Sequence, residues 1–242
     1  MTDAPLVLSL FPGLDGLGLA FEAEGFTVVR GPDVLWGGDI RRFSPPAGRF
    51  EGIIGGPPCQ PFSRLRHMVE ANGYQTRHVN LIPEYERCVR EAQPDWWLME
   101  EVPAAPLPEV NGYVVHAQLL NNRWLGEEQE RVRRISFGTR DGQRLHVEPA
   151  PLLSPVWEPA VTGHAAPTPV KRHRTGVKST AGKPARSIGR MLELQGLPAD
   201  LLDEAPFTDG AKRRLVGNSV PLPMGRALAQ AVRRALTLRC SS

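Results

Sequence analysis

Apolar residues along this chain come in short blocks of strand length, separated by glycine-rich turns and by stretches of helical period. Leu6–Phe11 (LVLSLF) is a continuous apolar run of the length of a buried strand. It ends in Pro12-Gly13-Leu14-Asp15-Gly16, after which Leu17–Glu24 predicts a helix. Thr27–Arg30 and Gly52–Gly55 (GIIG) predict two further short strands. Between Leu81 and Ala92 the positions Leu81, Tyr85, Cys88, Val89 and Ala92 fall on one helical face, and Asp95–Glu101 (DWWLMEE) predicts the next strand. Strands alternating with helices predict an α/β domain whose parallel sheet is covered on both faces. One connection is too short: a normal crossover of about 10–12 residues does not fit between Arg30 and Gly38-Asp39-Ile40. A helix is expected to be missing there, leaving a reduced sheet edge.

The middle of the chain differs in texture. Tyr113–Leu120 and Arg133–Gly138 have strand-like content, but from Gly142 to Lys183 the chain is rich in Pro, Gly, Thr and basic residues without a sustained period. Regular structure resumes with a helix predicted over Ser187–Gln195 and another over Leu222–Leu236, striped by Leu222, Leu228, Ala231, Val232 and Ala235. The expected organisation is therefore a main domain over 1–141, a small loop-rich region over 142–185, and a return to the main domain over 186–242. No internal repeat is visible.

Composition narrows the class. The 242 residues, 41% hydrophobic and 23% charged, suit one globular α/β domain with a small appendage. No apolar run approaches the roughly 20 residues of a membrane helix, so no membrane partner is expected. Met1–Leu8 lacks the layout of a secretory signal, and a cytoplasmic protein is expected. The three cysteines, Cys59, Cys88 and Cys240, form no C-x-x-C pair, so neither a disulfide framework nor a metal site is indicated. The net charge is only +3 but unevenly spread. No acidic residue lies between Glu158 and Glu193, whereas Lys171, Arg172, Arg174, Lys178, Lys183, Arg186 and Arg190 all do. Such a stretch can neutralise several phosphates and points to nucleic acid as a partner, while charge alone fits a solvated loop equally well.

Candidate chemistry gathers where the predicted strands end. Glycines in Phe11–Gly16, between a strand and a helix, allow a ligand to approach the backbone at a helix N-terminus. Asp33, just past the second strand, is placed to accept hydrogen bonds from ribose hydroxyls, and Asp39 follows in Gly38-Asp39-Ile40. The decisive segment is Gly55-Gly56-Pro57-Pro58-Cys59-Gln60-Pro61-Phe62-Ser63, directly after a buried strand. Proline-rich rigidity around Cys59 points to a positioned nucleophile, because the thiolate is the reactive form and needs a controlled environment.

Here the sequence resembles a known family. PPCQPFS is similar to the catalytic motif of the cytosine-5 DNA methyltransferases, and further segments follow in that family's order. Phe11–Gly16 resembles its cofactor loop, Glu100-Glu101-Val102 its Glu-Asn-Val, and Gln129-Glu130-Arg131-Val132-Arg133 its Gln-x-Arg-x-Arg. Leu194-Gln195-Gly196-Leu197-Pro198 and Gly217-Asn218-Ser219-Val220-Pro221 are similar to its last two motifs. The resemblance implies a Rossmann-like class I methyltransferase sheet with S-adenosylmethionine as methyl donor and double-stranded DNA as substrate, acted on by a monomer. It implies that Cys59 attacks carbon 6 of a flipped-out cytosine, that Glu100 hydrogen-bonds or protonates ring nitrogen 3, and that Arg133 steadies the 2-oxo group. Arg131 would help hold Glu100, the closing loop or the backbone. Around the cofactor it implies Phe11, Gly13, Leu14, Gly16, Asp33, Asp39, Ile40, Pro58, Leu81, Asn218 and Ser219. Toward DNA it implies Gln60, Ser63, Arg64, Arg66 and Gln129, with Lys171, Arg172, Arg174, Lys178 and Lys183 from the basic stretch.

Departures from the family pattern carry their own expectations. Ser9 replaces the acid that usually opens the first motif, and Asp15 stands where a glycine is common, which would add a charge near the cofactor. Glu101 replaces the Asn that braces the nucleophile loop; a carboxylate facing the site would raise the pKa of Cys59. Gly189-Arg190 stands where Arg-Glu is common. The recognition region is far shorter than usual, which predicts a short or degenerate target and resembles a stripped-down viral version. One branch of the family modifies tRNA, so an RNA cytosine methyltransferase is the neighbouring reading. A catalytically weak DNA-binding or regulatory homologue is a third, motivated by Glu101 and Asp15. Cys88 is expected in the core, Trp96 and Trp97 in a buried strand, His116 in a structural role and Cys240 in an exposed tail.

Overall fold

A computed structural model of the chain describes residues 4–58, 62, 79–150, 158–163 and 186–239. Its centre is a six-stranded sheet in the order β2-β1-β3-β4-β7-β5, built from β1 (Leu6–Leu10), β2 (Thr27–Arg30), β3 (Gly52–Gly55), β4 (Trp96–Glu101), β5 (Val114–Asn121) and β7 (Val132–Thr139). The first four run parallel, as the alternating pattern predicts. β7 does not: it lies antiparallel between β4 and β5. The alternating pattern of the first hundred residues does not extend to it, and a buried apolar strand carries no local signal of its direction.

Period-two alternation assigns the side chains to two helical layers. On one face Val7, Ile54, Trp96, Leu98, Ile135 and Phe137 pack with α1 (Gly16–Ala23) and the last helix, α5 (Leu222–Arg239). On the other, Leu8, Leu10, Ile53, Trp97 and Met99 pack with α2 (Ile82–Ala92) through Tyr85, Cys88, Val89 and Ala92. Trp96 and Trp97 are therefore core residues, one in each layer, and Cys88 is fully buried. Burial pushes the Cys88 thiol up to about 11, so it stays protonated and inert.

Between β2 and β3 the chain makes only two single 3-10 turns, Val34–Trp36 and Ile40–Arg42. The lost crossover helix is borne out, and β2 forms the edge of the sheet. A third cluster, predicted only in part, joins α3 (Ile188–Leu194) to α4 (Asp209–Asn218) through Met191, Leu192, Leu194, Leu197 and Val216. α4 is not among the predicted helices. It is polar over most of its length and buries only Leu215, Val216 and Gly217, so no apolar stripe develops. Its start is nonetheless well specified, with the Thr208 side chain capping Ala211 N–H and Asp209 in the first turn.

Within the loop-rich region, the described residues lie against the main body. Leu145 joins the core on the α5 face, and Arg234 of α5 donates to the His146 carbonyl. Glu158–Pro159 (β8) pairs with Gln129–Glu130 (β6). His116 makes a structural contact, its Nε2 lying 3.0 Å from the Gly142 carbonyl oxygen.

Candidate active site

The carboxyl ends of β1, β3 and β4 lie side by side, which brings the Phe11–Gly16 loop, the Gly55–Pro58 segment and Glu100 to one end of the sheet. This is where open α/β sheets bind ligands. The first loop is tightly wound: Phe11, Gly13 and Asp15 all take left-handed backbone conformations. For a bulky residue such as Phe11 that is a costly conformation, held here by packing against the α2 layer. Gly13 N–H donates to Asp33 Oδ2 at 2.9 Å, and Asp33 Oδ1 accepts from Leu35 N–H at 2.9 Å, so the acid after β2 is fixed beside the loop.

Gly16 is required by close approach. A methyl group at this position would overlap the Val220 carbonyl oxygen and the Ser219 hydroxyl. The loop at the start of the chain and the Gly217–Pro221 segment near its end thus touch, as expected for two parts of one pocket. Ser219 is buried, while Asn218 is exposed. Leu14 packs against the α3–α4 cluster, and Leu81 and Phe62 pack against the α2 layer, together with buried Ile40. Pro58 is half-buried. Asp39 is engaged locally, capping Arg41 N–H and pairing with its guanidinium at 2.7 Å; that pairing lowers its carboxyl to about 2.

Glu100 lies at the end of β4, 8% exposed. Its Oε1 is 2.8 Å from Arg133 Nε on β7, so the structure joins two of the residues expected to handle the base. Gly56 backs against the same carboxylate: a Cβ there would lie 3.1 Å from Glu100 Oε2. The segment leading to the nucleophile motif therefore runs beside Glu100 because glycine leaves room for it. Cys59, Gln60, Ser63, Arg64 and Arg66, and likewise Lys171, Arg172, Arg174, Lys178 and Lys183, lie outside the described residues.

Gln129 is placed differently from the expected contact with DNA, and Arg131 falls on one of the roles expected of it. Both are buried within a polar joint. Arg131 donates to the carbonyls of Val161, Gly217 and Ser219 at 2.9–3.1 Å, which matches the backbone-holding option and leaves Glu100 to Arg133. Gln129, expected at DNA, donates to Leu194 O at 2.6 Å and Gln195 Oε1 at 3.0 Å, and accepts from Val161 N–H. Gln195 in turn donates to Val216 O and Ser219 O. This joint ties β6, the 158–163 segment, α3 and α4 to the Ser219 side of the pocket. The sequence named its members by motif, but the joint spans partners dozens of residues apart and has no periodic signature.

The departures also resolve. Asp15 is turned inward, 6% exposed, capping Gly18 N–H, accepting from the Ser9 hydroxyl at 2.9 Å and pairing with Arg30 Nε at 2.8 Å. Burial raises its pKa, with Ser9 and Arg30 opposing. The expected charge beside the cofactor is thus corrected: Ser9 and Asp15 share one internal hydrogen bond. Glu101 points to the face opposite Glu100 and is 1% exposed, and burial followed by the Glu100 charge pushes it up to about 8. Arg190 pairs with Glu128 and Glu193, and Arg186 with Glu158, so two cations of the basic stretch are satisfied internally.

The sheet order, the glycine loop at β1 and the acid at the end of β4 define a Rossmann-like methyltransferase fold. Solved structures agree: the Entamoeba histolytica methyltransferase EhMeth superposes with a TM-score of 0.63 at 13% identity, covering 96% of this chain and 99% of its own. The S. pombe Dnmt2 methyltransferase gives 0.61 at 13% identity, covering 95% and 99%. The model of the C-5 cytosine-specific DNA methylase family matches residues 37–183, and the chain belongs to that family. Among its relatives, the Type II methyltransferase M.NgoPII of Neisseria gonorrhoeae is 30% identical over 168 residues, 55% of this chain and 48% of that protein. The Type II methyltransferase M.XorII of Xanthomonas oryzae pv. oryzae is 27% identical over 223 residues, 75% of this chain and 52% of that protein. The chain spans about half the length of these curated relatives.

Proposed function

We propose that this protein transfers a methyl group from S-adenosylmethionine to carbon 5 of cytosine in double-stranded DNA, through a transient covalent bond from Cys59. The observation that carries the reading is the Glu100–Arg133 pair, set at 2.8 Å beside Gly56 at the carboxyl end of the sheet. Its family and its relatives' shared name support it.

The pocket fits the donor. The left-handed turns of Phe11–Gly16 and the N-terminus of α1 suit its methionine part, Asp33 suits its ribose, and Phe11, Ile40, Pro58 and Leu81 supply an apolar setting for adenine. Ser219 closes the side next to Gly16, with Asn218 exposed beside it. Bound there, the donor supplies an electrophilic methyl group on a sulfonium. Cytosine carbon 5 is too weak a nucleophile unaided. The Cys59 thiolate adds to carbon 6 and pushes electron density onto carbon 5, while Glu100 hydrogen-bonds or protonates ring nitrogen 3 and offsets the developing charge. Arg133 holds Glu100 in place and reaches the 2-oxo group. Carbon 5 takes the methyl group as its bond to the sulfonium breaks and a neutral thioether is left; a base then removes the carbon 5 proton, and that electron pair re-forms the carbon 5–carbon 6 double bond and expels Cys59 as a thiolate. The base must leave the duplex for these contacts to form.

All of these groups come from one chain, and the protein is expected to act as a monomer. Among the described residues no helix is long and apolar enough to cross a membrane; the proposed place of action is the cytoplasm, where DNA and the donor meet. The shortness of the recognition region supports a short or degenerate target, because reading a sequence needs base-edge contacts beyond phosphate contacts. Transfer of labelled methyl groups to duplex DNA and to tRNA tests the substrate: label enters DNA cytosine at carbon 5, and preferential labelling of tRNA would overturn the reading. Bisulfite sequencing of plasmid from an expressing host tests the target, and a long, strictly specified site would contradict it.

A further inference from the structure

Glu100 and Glu101 are neighbours on β4, yet their surroundings are opposite in kind. Glu100 has a counter-ion, the Arg133 guanidinium. Glu101 faces the α2 layer and has none among the described residues. Its register partner across the sheet is Arg134 on β7, the natural cation to meet it. The Arg134 guanidinium is diverted instead onto the carbonyls of Pro103, Ala105 and Pro106, where it clamps the loop after β4. Glu101 Oε2 accepts from Val102 N–H at 2.9 Å, and Oε1 is buried with no partner among the described residues.

An ionised carboxylate in that position would be desolvated and unpaired, with a second carboxylate next to it in sequence. A neutral carboxyl avoids the cost. It also offers what a side-chain amide offers, one acceptor oxygen and one donor group.

We propose that Glu101 is a positioning residue that works as a neutral carboxylic acid, its Oε2 on Val102 N–H and its Oε1–H a buried donor, beside a Glu100 that is paired with Arg133. In this form Glu101 takes the place of a side-chain amide without adding negative charge next to Glu100. The inference rests on the proposed methyl transfer for its purpose but not for its test. The groups acting on Glu101 support it. Burial pushes its carboxyl up to about 8 and Glu100 adds to the rise, outweighing the Val102 N–H, Arg133 and Arg134, which oppose it. On the same face α2 contributes Tyr85 and Cys88, both kept protonated by burial.

The folded protein thus holds this proton up to about pH 8, whereas an unfolded chain releases it near the ordinary 4.5. Stability contributed by the protonated form is complete below that lower value and is lost as pH rises through the higher one. Thermal unfolding of the full chain and of Glu101→Gln, followed across this window, reads the effect without any methyl transfer. The two proteins should unfold at similar temperatures at the acid end. The variant should gain several degrees over the parent toward the alkaline end. A parallel pH dependence in both overturns the proposal. Should Glu101→Gln fail to fold, the parent labelled with 13C at the glutamate carboxyls decides. One resonance should titrate near the alkaline end and vanish in Glu101→Asp; glutamates that all titrate in the ordinary carboxylate range would overturn the proposal. Either result stands whether or not the protein proves to methylate DNA, so failure of this inference and failure of the functional reading are distinguishable.

Discussion

Two polar regions of this molecule lie close together and behave in opposite ways. At the carboxyl ends of β1, β3 and β4, polar groups are arranged in separate pairs at the edge where open α/β sheets bind ligands: Glu100 with Arg133, Asp33 beside Gly13, and Gly16 against Ser219. In the joint between β6, α3 and α4, polar groups are turned entirely onto one another. Arg131, Gln129 and Gln195 are each at most 2% exposed, and their bonds end mostly on backbone carbonyls. Yet the two regions draw on the same short segment, Gln129–Arg133. The odd-numbered positions of a strand share a face only while the strand stays regular, and here β6 and β7 are separate strands with Arg131 between them. Arg131 enters the joint and Arg133 reaches the acid. One motif thus contains both architecture and chemistry, and residue type alone does not divide them.

Substitutions can break or sharpen this contrast. The largest effect is expected in the first region: Glu100→Gln should lower the rate of methyl transfer by about 10²–10⁴-fold, with a smaller loss of stability than the joint variant below. Single-turnover transfer and denaturant unfolding measure the two quantities. In the joint, Arg131→Met leaves three carbonyls without their donor and should cost about 3–5 kcal/mol of stability by denaturant unfolding. A loss of rate with unchanged stability would move Arg131 out of the architectural region. Gly16→Ala, at the meeting of the two regions, should cost about 1–3 kcal/mol and weaken binding of the methyl donor in a calorimetric titration. The smallest effect is expected at the surface. Arg190→Ala breaks pairs that are 40–50% exposed and should change stability by no more than about 1 kcal/mol.

Much of the first region was legible in the sequence. Buried strands ending in glycine or proline turns mark where a parallel sheet presents its binding edge, and β1, β2, β3 and β4 fall where the apolar blocks predict. The short link after β2 likewise announced a missing helix. What could not be read depends on partners distant in the chain. The direction of β7 is set by its neighbours, and α4 is stabilised by tertiary contacts rather than by its own stripe. Asp15 and Glu101 were visible as charges but not as inward-facing ones. A signal for Glu101 did exist, since period two in β4 puts it opposite Glu100 and level with Trp97 and Met99. Arg134 has no local signal of its role, because the Pro103–Pro106 carbonyls that it holds belong to a loop some thirty residues away.

The central claim is that Cys59 bonds covalently to cytosine at the site framed by Glu100. The direct test is incubation of the full chain with S-adenosylmethionine and a duplex containing 5-fluorocytosine, whose carbon 5 cannot release a proton. The account predicts a protein–DNA adduct that survives denaturation, maps by peptide mass spectrometry to Cys59, and is absent in Cys59→Ser. No adduct from folded protein on duplexes carrying the methylated target, or an adduct formed through another residue, would contradict it.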